Sequence, residues 1–110
     1  GDLEGAIAIQ RALLARDPHP AASHEALGRL LARRQDLAGA ADALQRALDL
    51  QPDRPASLWL LASIRQAQSR HAESLRLWQI LQARATDPAV QAEAAARVRA
   101  LSREREGAAP

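Results

Sequence analysis

Displacing the sequence against itself by 34 residues lays Leu3 on Leu37, Ala6 on Ala40, Leu14 on Leu48 and Pro18 on Pro52. The same shift carries Leu27 to Leu61, Gly28 to Ala62, Leu44 to Trp78 and Ala47 to Leu81. The offset holds at both small and large positions, so the period is one of packing as well as of composition. A chain with such a period stacks copies of one supersecondary unit, and each copy buries its apolar face only against its neighbours.

Composition restricts that unit to helices. The 110 residues include 27 Ala and 17 Leu, and the only aromatics are Trp59 and Trp78. So few β-branched and aromatic side chains argue against a sandwich or a barrel. There is no Cys, which excludes disulfides, a thiolate zinc site and a cysteine nucleophile. No apolar run approaches the roughly 18 residues of a membrane span. All 15 basic residues are Arg, and against 13 acidic residues the formal net charge is only +2. Nucleic-acid binding domains carry a larger and more clustered excess, so no nucleic-acid partner is expected.

Each unit reads as two helices. From Ala21 to Arg34 the apolar stripe is Ala26, Leu27, Leu30 and Leu31, and Gln35 and Asp36 form a turn with Asp36 as N-cap. From Leu37 to Leu50 the stripe is Leu37, Ala40, Ala41, Leu44, Ala47 and Leu48. Pro52 and Pro55 bracket the next break, since proline suits a first turn and not a helix interior. A second pair spans about Ala56 to Gln68 and His71 to Ala85. Asp87-Pro88 then opens a last helix running to about Glu104, with Asp87 as N-cap. The first helix, about Asp2 to Arg16, is the second half of a unit.

The run His24-x-x-Leu27-Gly28-x-x-Leu31, followed by Ala40-x-x-x-Leu44, Ala47 and Pro52, resembles the tetratricopeptide repeat. The next copy, Leu58-x-x-Leu61-Ala62, Ser74-x-x-x-Trp78 and Leu81, is looser: Arg65 stands where the pattern takes a large apolar residue, and Thr86 replaces the closing proline. Ala6, Leu13 and Pro18 are remnants of the first copy. The resemblance implies an all-α fold, a right-handed α-solenoid of antiparallel helix pairs with about six helices. It divides residues 1–105 into a half repeat (1–18), a full repeat (19–52), a degenerate full repeat (53–87) and a capping helix (88–105), with a flexible tail at 106–110.

Packing accounts for the residue classes. Gly28 and Ala62 are expected where the two helices of a unit cross closely. Ala40 and Ser74 are expected to hold the second helix near the first helix of the following unit. Leu44, Trp78, Leu31 and Leu61 fill the space between. Trp78 lies on the apolar stripe of its helix and is therefore assigned to the core. His24 and His71 are expected to pack, the latter at a helix start.

Solenoids of this kind present a concave groove lined by the first helix of each pair. The resemblance implies groove positions at Ala22, Glu25, Arg29, Ala32 and Arg33, and at Ala56, Trp59, Ser63, Gln66 and Ala67, with Glu93 and Arg97 extending the wall. Arg29 and Arg33, four apart, present two forked donors on one helix face. A Trp beside paired Arg suits a peptide with an apolar anchor and a carboxylate. Glu25, Arg29, Arg33, Trp59, Ser63 and Gln66 are thus the candidate peptide-binding residues. The plain alternative is a solvated face on which Glu25 pairs with Arg29. The repeats that clamp a terminal carboxylate do so with Lys and Asn, and this chain has neither.

Catalytic readings are weak. Ser23, His24 and Glu25 are the residue types of a triad, but successive helical residues point about 100° apart and cannot line up. His19, His24 and His71 lack the four-residue spacing of a helical metal pair, and there is no glycine-rich phosphate loop. No enzyme activity, metal or cofactor is expected. Arg97, Arg99, Arg103 and Arg105 alternate with Glu93, Glu104 and Glu106 and have no aromatics beside them for base stacking, which suits a solvated capping helix.

A finer resemblance rests on Pro55-Ala56-Ser57-Leu58-Trp59-Leu60-Leu61-Ala62 and Glu73-Ser74-Leu75-Arg76-Leu77-Trp78-Gln79-Ile80-Leu81. These runs, with the Ala/Arg helix from Val90 to Leu101, resemble the repeat domain of bacterial cytochrome c biogenesis proteins of the CcmI, CycH and NrfG type. That likeness implies a periplasmic domain binding the C-terminal segment of an apocytochrome or a partner assembly protein. A preference for Ala, Arg and Leu over Lys, Asn and Ile is the mark of GC-rich codons and of a bacterial source. The lack of Cys fits periplasm and cytoplasm equally. The other class is a structural repeat segment of a larger protein. In either class the apolar stripe of the first helix lacks its natural cover. It is expected to self-associate, to dock on a partner, or to have lost that cover with the upstream repeats.

Overall fold

The computed structural model describes residues 2–108, and among them there are six helices and no strand. They are α1 (Leu3–Arg16), α2 (Ala21–Arg33), α3 (Leu37–Leu50), α4 (Pro55–Ala67), α5 (His71–Arg84) and α6 (Pro88–Ala108). Each packs on the next in chain order, so the molecule is an elongated stack of 48 × 28 × 23 Å. No helix is long and apolar enough to cross a membrane.

Local chemistry fixes the breaks. The turns within the two complete pairs have one design. Gln35 (φ 70°) and Ser69 (φ 62°), one period apart, occupy the left-handed region. Asp36 N–H donates to the Leu31 carbonyl at 2.9 Å, and Arg70 N–H to that of Arg65 at 2.8 Å, which closes each helix in a Schellman motif. Asp36 caps α3 by accepting from Gly39 N–H at 2.9 Å, and Asp87 caps α6 by accepting from Ala89 N–H at 2.9 Å. Pro55 occupies the first turn of α4 and keeps Arg54 before it extended.

The close crossings fall at the small residues. A Cβ on Gly28 would lie 2.7 Å from Leu44 Cγ and 3.4 Å from the Ala40 carbonyl oxygen. In the second pair, the Ser74 hydroxyl donates to the Ala62 carbonyl at 2.8 Å, with both residues fully buried. Ala40 and Ser74 therefore close the crossing with the first helix of their own pair. A small residue on each helix is needed wherever two backbones approach, and it is the pair's own helices that approach most closely.

Two further expectations are corrected. The last helix does not stop near Glu104, and residues 106–108 of the expected tail are its final turn. No proline or turn residue interrupts Arg103 to Gly107, and glycine alone near a helix end is a weak breaker; residues 109–110 lie outside the described residues. His71 is exposed at the start of α5 instead of packing there; a polar imidazole gains less from burial than the Leu that holds this position in the other copies. Arg65 departs from the apolar pattern yet leaves no gap. Its side chain is largely covered, with Nε 3.1 Å from a Glu73 carboxylate oxygen and Nη1 donating to Gln68 Oε1 at 3.0 Å. His24 does pack, and its Nε2 donates to the Pro18 carbonyl at 2.8 Å, tying down the α1–α2 loop.

Candidate groove between the first helices of the repeats

Helices α2 and α4 lie side by side and form the concave wall. Arg29 and Arg33 from α2 and Ala56, Trp59 and Leu60 from α4 line a cleft of about 390 Å³. A second depression continues from it along the α1 side of α2, lined by Gln10, Ala22, Glu25, Ala26, Leu30 and the same two arginines. Arg29 and Arg33 thus line both hollows.

Trp59 is held from behind. Its ring meets that of the fully buried Trp78 edge-on, with centroids 5.1 Å apart and planes at 77°. Such edge contacts add about 0.5–1.5 kcal/mol beyond area burial. Trp78 belongs to the core, as its place on the stripe requires. The pair therefore anchors an accessible indole on a rigid base, with one ring as wall and the other as foundation.

The arginines differ in their ties. Arg29 is mostly exposed and reaches Glu25 only at 3.7 Å. Arg33 takes part in no ion pair among the described residues. Glu25 is buried and its carboxylate is already engaged. It accepts from Ser57 Oγ at 2.6 Å, Arg54 Nε at 3.1 Å and Arg54 Nη2 at 3.2 Å. Burial acts to raise the Glu25 carboxyl, but hydrogen bonds from Arg54 and Ser57 and the charges of Arg54 and Arg29 outweigh it, so it is held below its ordinary value.

Of the six candidate residues, the fold brings Arg29, Arg33 and Trp59 to one cleft. Glu25 lines the adjoining hollow and also bolts α2 to the start of α4. The Ser63 hydroxyl turns back to the Trp59 carbonyl at 3.0 Å, and neither Ser63 nor Gln66 lines the cleft. Glu93 and Arg97 pair with each other at 3.0 Å, and the Arg97 guanidinium lies 5.6 Å from the Trp78 ring centroid, covering that ring. Arg54 had no motif to mark it, and Ser57 and Leu60 stood only as members of the run 55–62, without a role. The first two lie 29 and 32 residues from Glu25, just short of a full period, and that spacing is the one signal they left.

The residue types of a triad at 23–25 are dispersed: His24 holds Pro18, and Glu25 holds Arg54 and Ser57. Among the described residues no group of three or more His, Asp and Glu is gathered as a metal site.

No family model matches this chain, and no curated protein does. Among solved structures it is similar to the crystal structure of MamA, a protein of tetratricopeptide repeats, with a TM-score of 0.66 and 18% sequence identity over 97% of this chain and 71% of that one. The fold is thus an all-helical repeat of the tetratricopeptide kind.

Proposed function

We propose that this chain is a non-catalytic protein-interaction scaffold whose concave groove binds a peptide bearing an apolar side chain next to a carboxylate. The observation that carries the reading is the cleft itself: Trp59 and Leu60 supply an apolar wall, and Arg29 and Arg33 line it from the other helix. A guanidinium meets a carboxylate with two parallel hydrogen bonds, and each charge-assisted bond contributes about 1.5–3 kcal/mol. The indole accepts the neighbouring side chain at low entropy cost, since its rear edge already rests on Trp78.

Short peptides ending in Leu, with a free or an amidated C-terminus, test this by titration. The free acid is expected to bind at least tenfold more tightly, and Arg29→Ala with Arg33→Ala to remove the difference. Equal affinity for the two forms, or binding untouched by Trp59→Ala, places the site elsewhere.

A narrower version rests on the sequence likeness over 55–62 and 73–81 to cytochrome c biogenesis proteins of the CcmI, CycH and NrfG type. In that version the domain is bacterial and periplasmic, and the peptide is the C-terminal segment of an apocytochrome or of a partner assembly protein. Apocytochrome C-terminal peptides then outcompete unrelated Leu-terminated peptides; no preference among them leaves the general scaffold and removes the narrower role.

A further inference from the structure

The second helices carry a hollow of their own. Pro52, just after α3, and the α5 residues Arg76, Gln79, Ile80, Ala83 and Arg84 line a shallow depression of about 410 Å³. The five α5 positions stand at i, i+3, i+4, i+7 and i+8, which is one stripe of a helix. The middle of the stripe is apolar: Ile80 is half-buried, and Ala83 and Pro52 are exposed. Its two ends are exposed arginines, and among the described residues no acidic side chain lines the hollow.

Neither Arg76 nor Arg84 takes part in an ion pair among the described residues. The carboxylates close to the hollow in sequence are occupied or line another depression. Glu73, one turn before Arg76, lies 3.1 Å from Arg65 Nε, and Asp87 accepts from Ala89 N–H as the cap of α6. Asp53 lines a separate hollow with Glu25 and Arg54. Packing does not impose this pattern. One period back, a hollow of the same kind is lined by Pro18, Arg46, Asp49 and Leu50. There Arg46 holds the place of Ile80, Asp42 that of Arg76 and Leu50 that of Arg84. An arginine between Asp42 and Asp49 in one copy has become an isoleucine between two arginines in the next. Both copies form the hollow, so the fold requires neither arrangement.

We propose that this hollow binds an extended segment of a partner protein that carries two acidic side chains four residues apart and an apolar one midway between them. The helical rise puts the Cα atoms of Arg76 and Arg84 about 12 Å apart. Residues four apart in an extended chain span about 13 Å, and they and the residue midway point to the same side. Each acid then meets one guanidinium through charge-assisted hydrogen bonds, and the middle side chain lies on Ile80, Ala83 and Pro52. A nucleic-acid strand fits this surface less well, because no aromatic ring lines it for base stacking. The hollow shares no residue with the Arg29/Trp59 cleft, so the proposal does not depend on the groove reading.

Fluorescence anisotropy with a dye-labelled, acetylated and amidated peptide, Gly-Asp-Ser-Leu-Ser-Glu-Gly, tests the proposal; blocking both ends leaves the two acids as its only charges. The parent protein is expected to bind it with a Kd below about 1 mM. Arg76→Gln and Arg84→Gln are each expected to weaken binding about three- to fivefold, the scale of an exposed ion pair. An isomer with the two acids adjacent, Gly-Asp-Glu-Leu-Ser-Ser-Gly, is expected to bind more weakly than the spaced form. The double variant Arg76→Glu with Arg84→Glu is expected to lose the acidic peptide and to bind Gly-Lys-Ser-Leu-Ser-Lys-Gly in its place. Trp59→Ala is expected to leave the acidic peptide bound as before. Far-UV circular dichroism confirms that each variant is folded, and if the double variant is not, the single glutamine variants decide. No binding up to about 1 mM overturns the proposal. So does an isomer that binds as tightly as the spaced peptide, or a loss of binding caused by Trp59→Ala and not by the Arg76 and Arg84 variants. Oligothymidylate that displaces the labelled peptide as well as unlabelled peptide does also overturns it, and assigns the surface to nucleic acid.

Discussion

The carboxylate of Glu25 accepts a hydrogen bond from the Ser57 hydroxyl at 2.6 Å, joining two repeats across 32 residues of chain. Arg54 engages the same carboxylate through both oxygens, Nε donating to Oε2 at 3.1 Å and Nη2 to Oε1 at 3.2 Å. Together they set the spacing of α2 and α4, and so the width of the cleft between Arg29 and Trp59.

This clamp makes stability depend on acid. Glu25 is held below its ordinary value of 4.5, so its contribution is fully present above that pH and is lost as pH falls through the lowered folded-state value. The stability difference between the parent and Glu25→Gln is therefore expected to be largest near neutrality and to shrink steadily below pH 4.5. Urea titrations at a series of pH values measure it. A difference that stays constant into acid would mean that the charge of Glu25 plays no part in the clamp.

Gly28 permits no side chain. A Cβ there meets Leu44, itself fully buried, at 2.7 Å, whereas one on Gly107 meets nothing within 4 Å. Gly28→Leu is expected to lower stability by about 3 kcal/mol or more, beyond ordinary overpacking because the contact is at a helix crossing. Gly107→Ala is expected to leave the melting temperature unchanged or slightly raised. Thermal melts of both variants check the contrast.

Gln35 and Ser69 adopt a backbone that L-residues occupy at a cost of about 1–2 kcal/mol. Glycine removes that strain while adding entropy to the unfolded chain. Gln35→Gly and Ser69→Gly are each expected to stabilise by about 0.5–1 kcal/mol. Chemical denaturation of the single and double variants should show additive gains, since the two turns lie in different repeats.

The two tryptophans separate foundation from wall. Trp78→Ala empties a fully buried site and is expected to cost about 3–5 kcal/mol. Trp59→Ala removes a half-exposed ring and its edge contact, costing less in stability but most of the affinity for an apolar-anchored peptide. Parallel melts and peptide titrations of the two variants distinguish these effects.

The helices and their order were legible because their causes are local. Apolar residues at helical spacing, Asp36 and Asp87 at the caps, and Pro55 and Pro88 in first turns act within a few residues of where they stand. The period itself identified Gly28 and Ala62 as crossings and Trp78 as core, since a repeated position keeps its surroundings. What joins different repeats was not legible. That Glu25 is taken by Arg54 and Ser57 while Arg33 takes part in no ion pair among the described residues depends on the rotation of α2 against α4, which no local preference sets. The same is true of Ala40 and Ser74, whose smallness was evident but whose partner was not. The sequence alone therefore determined which residues turn inward on each helix. Only the tertiary structure decided which neighbour they meet, because a helical period specifies a face, and the packing of whole helices specifies what lies against it.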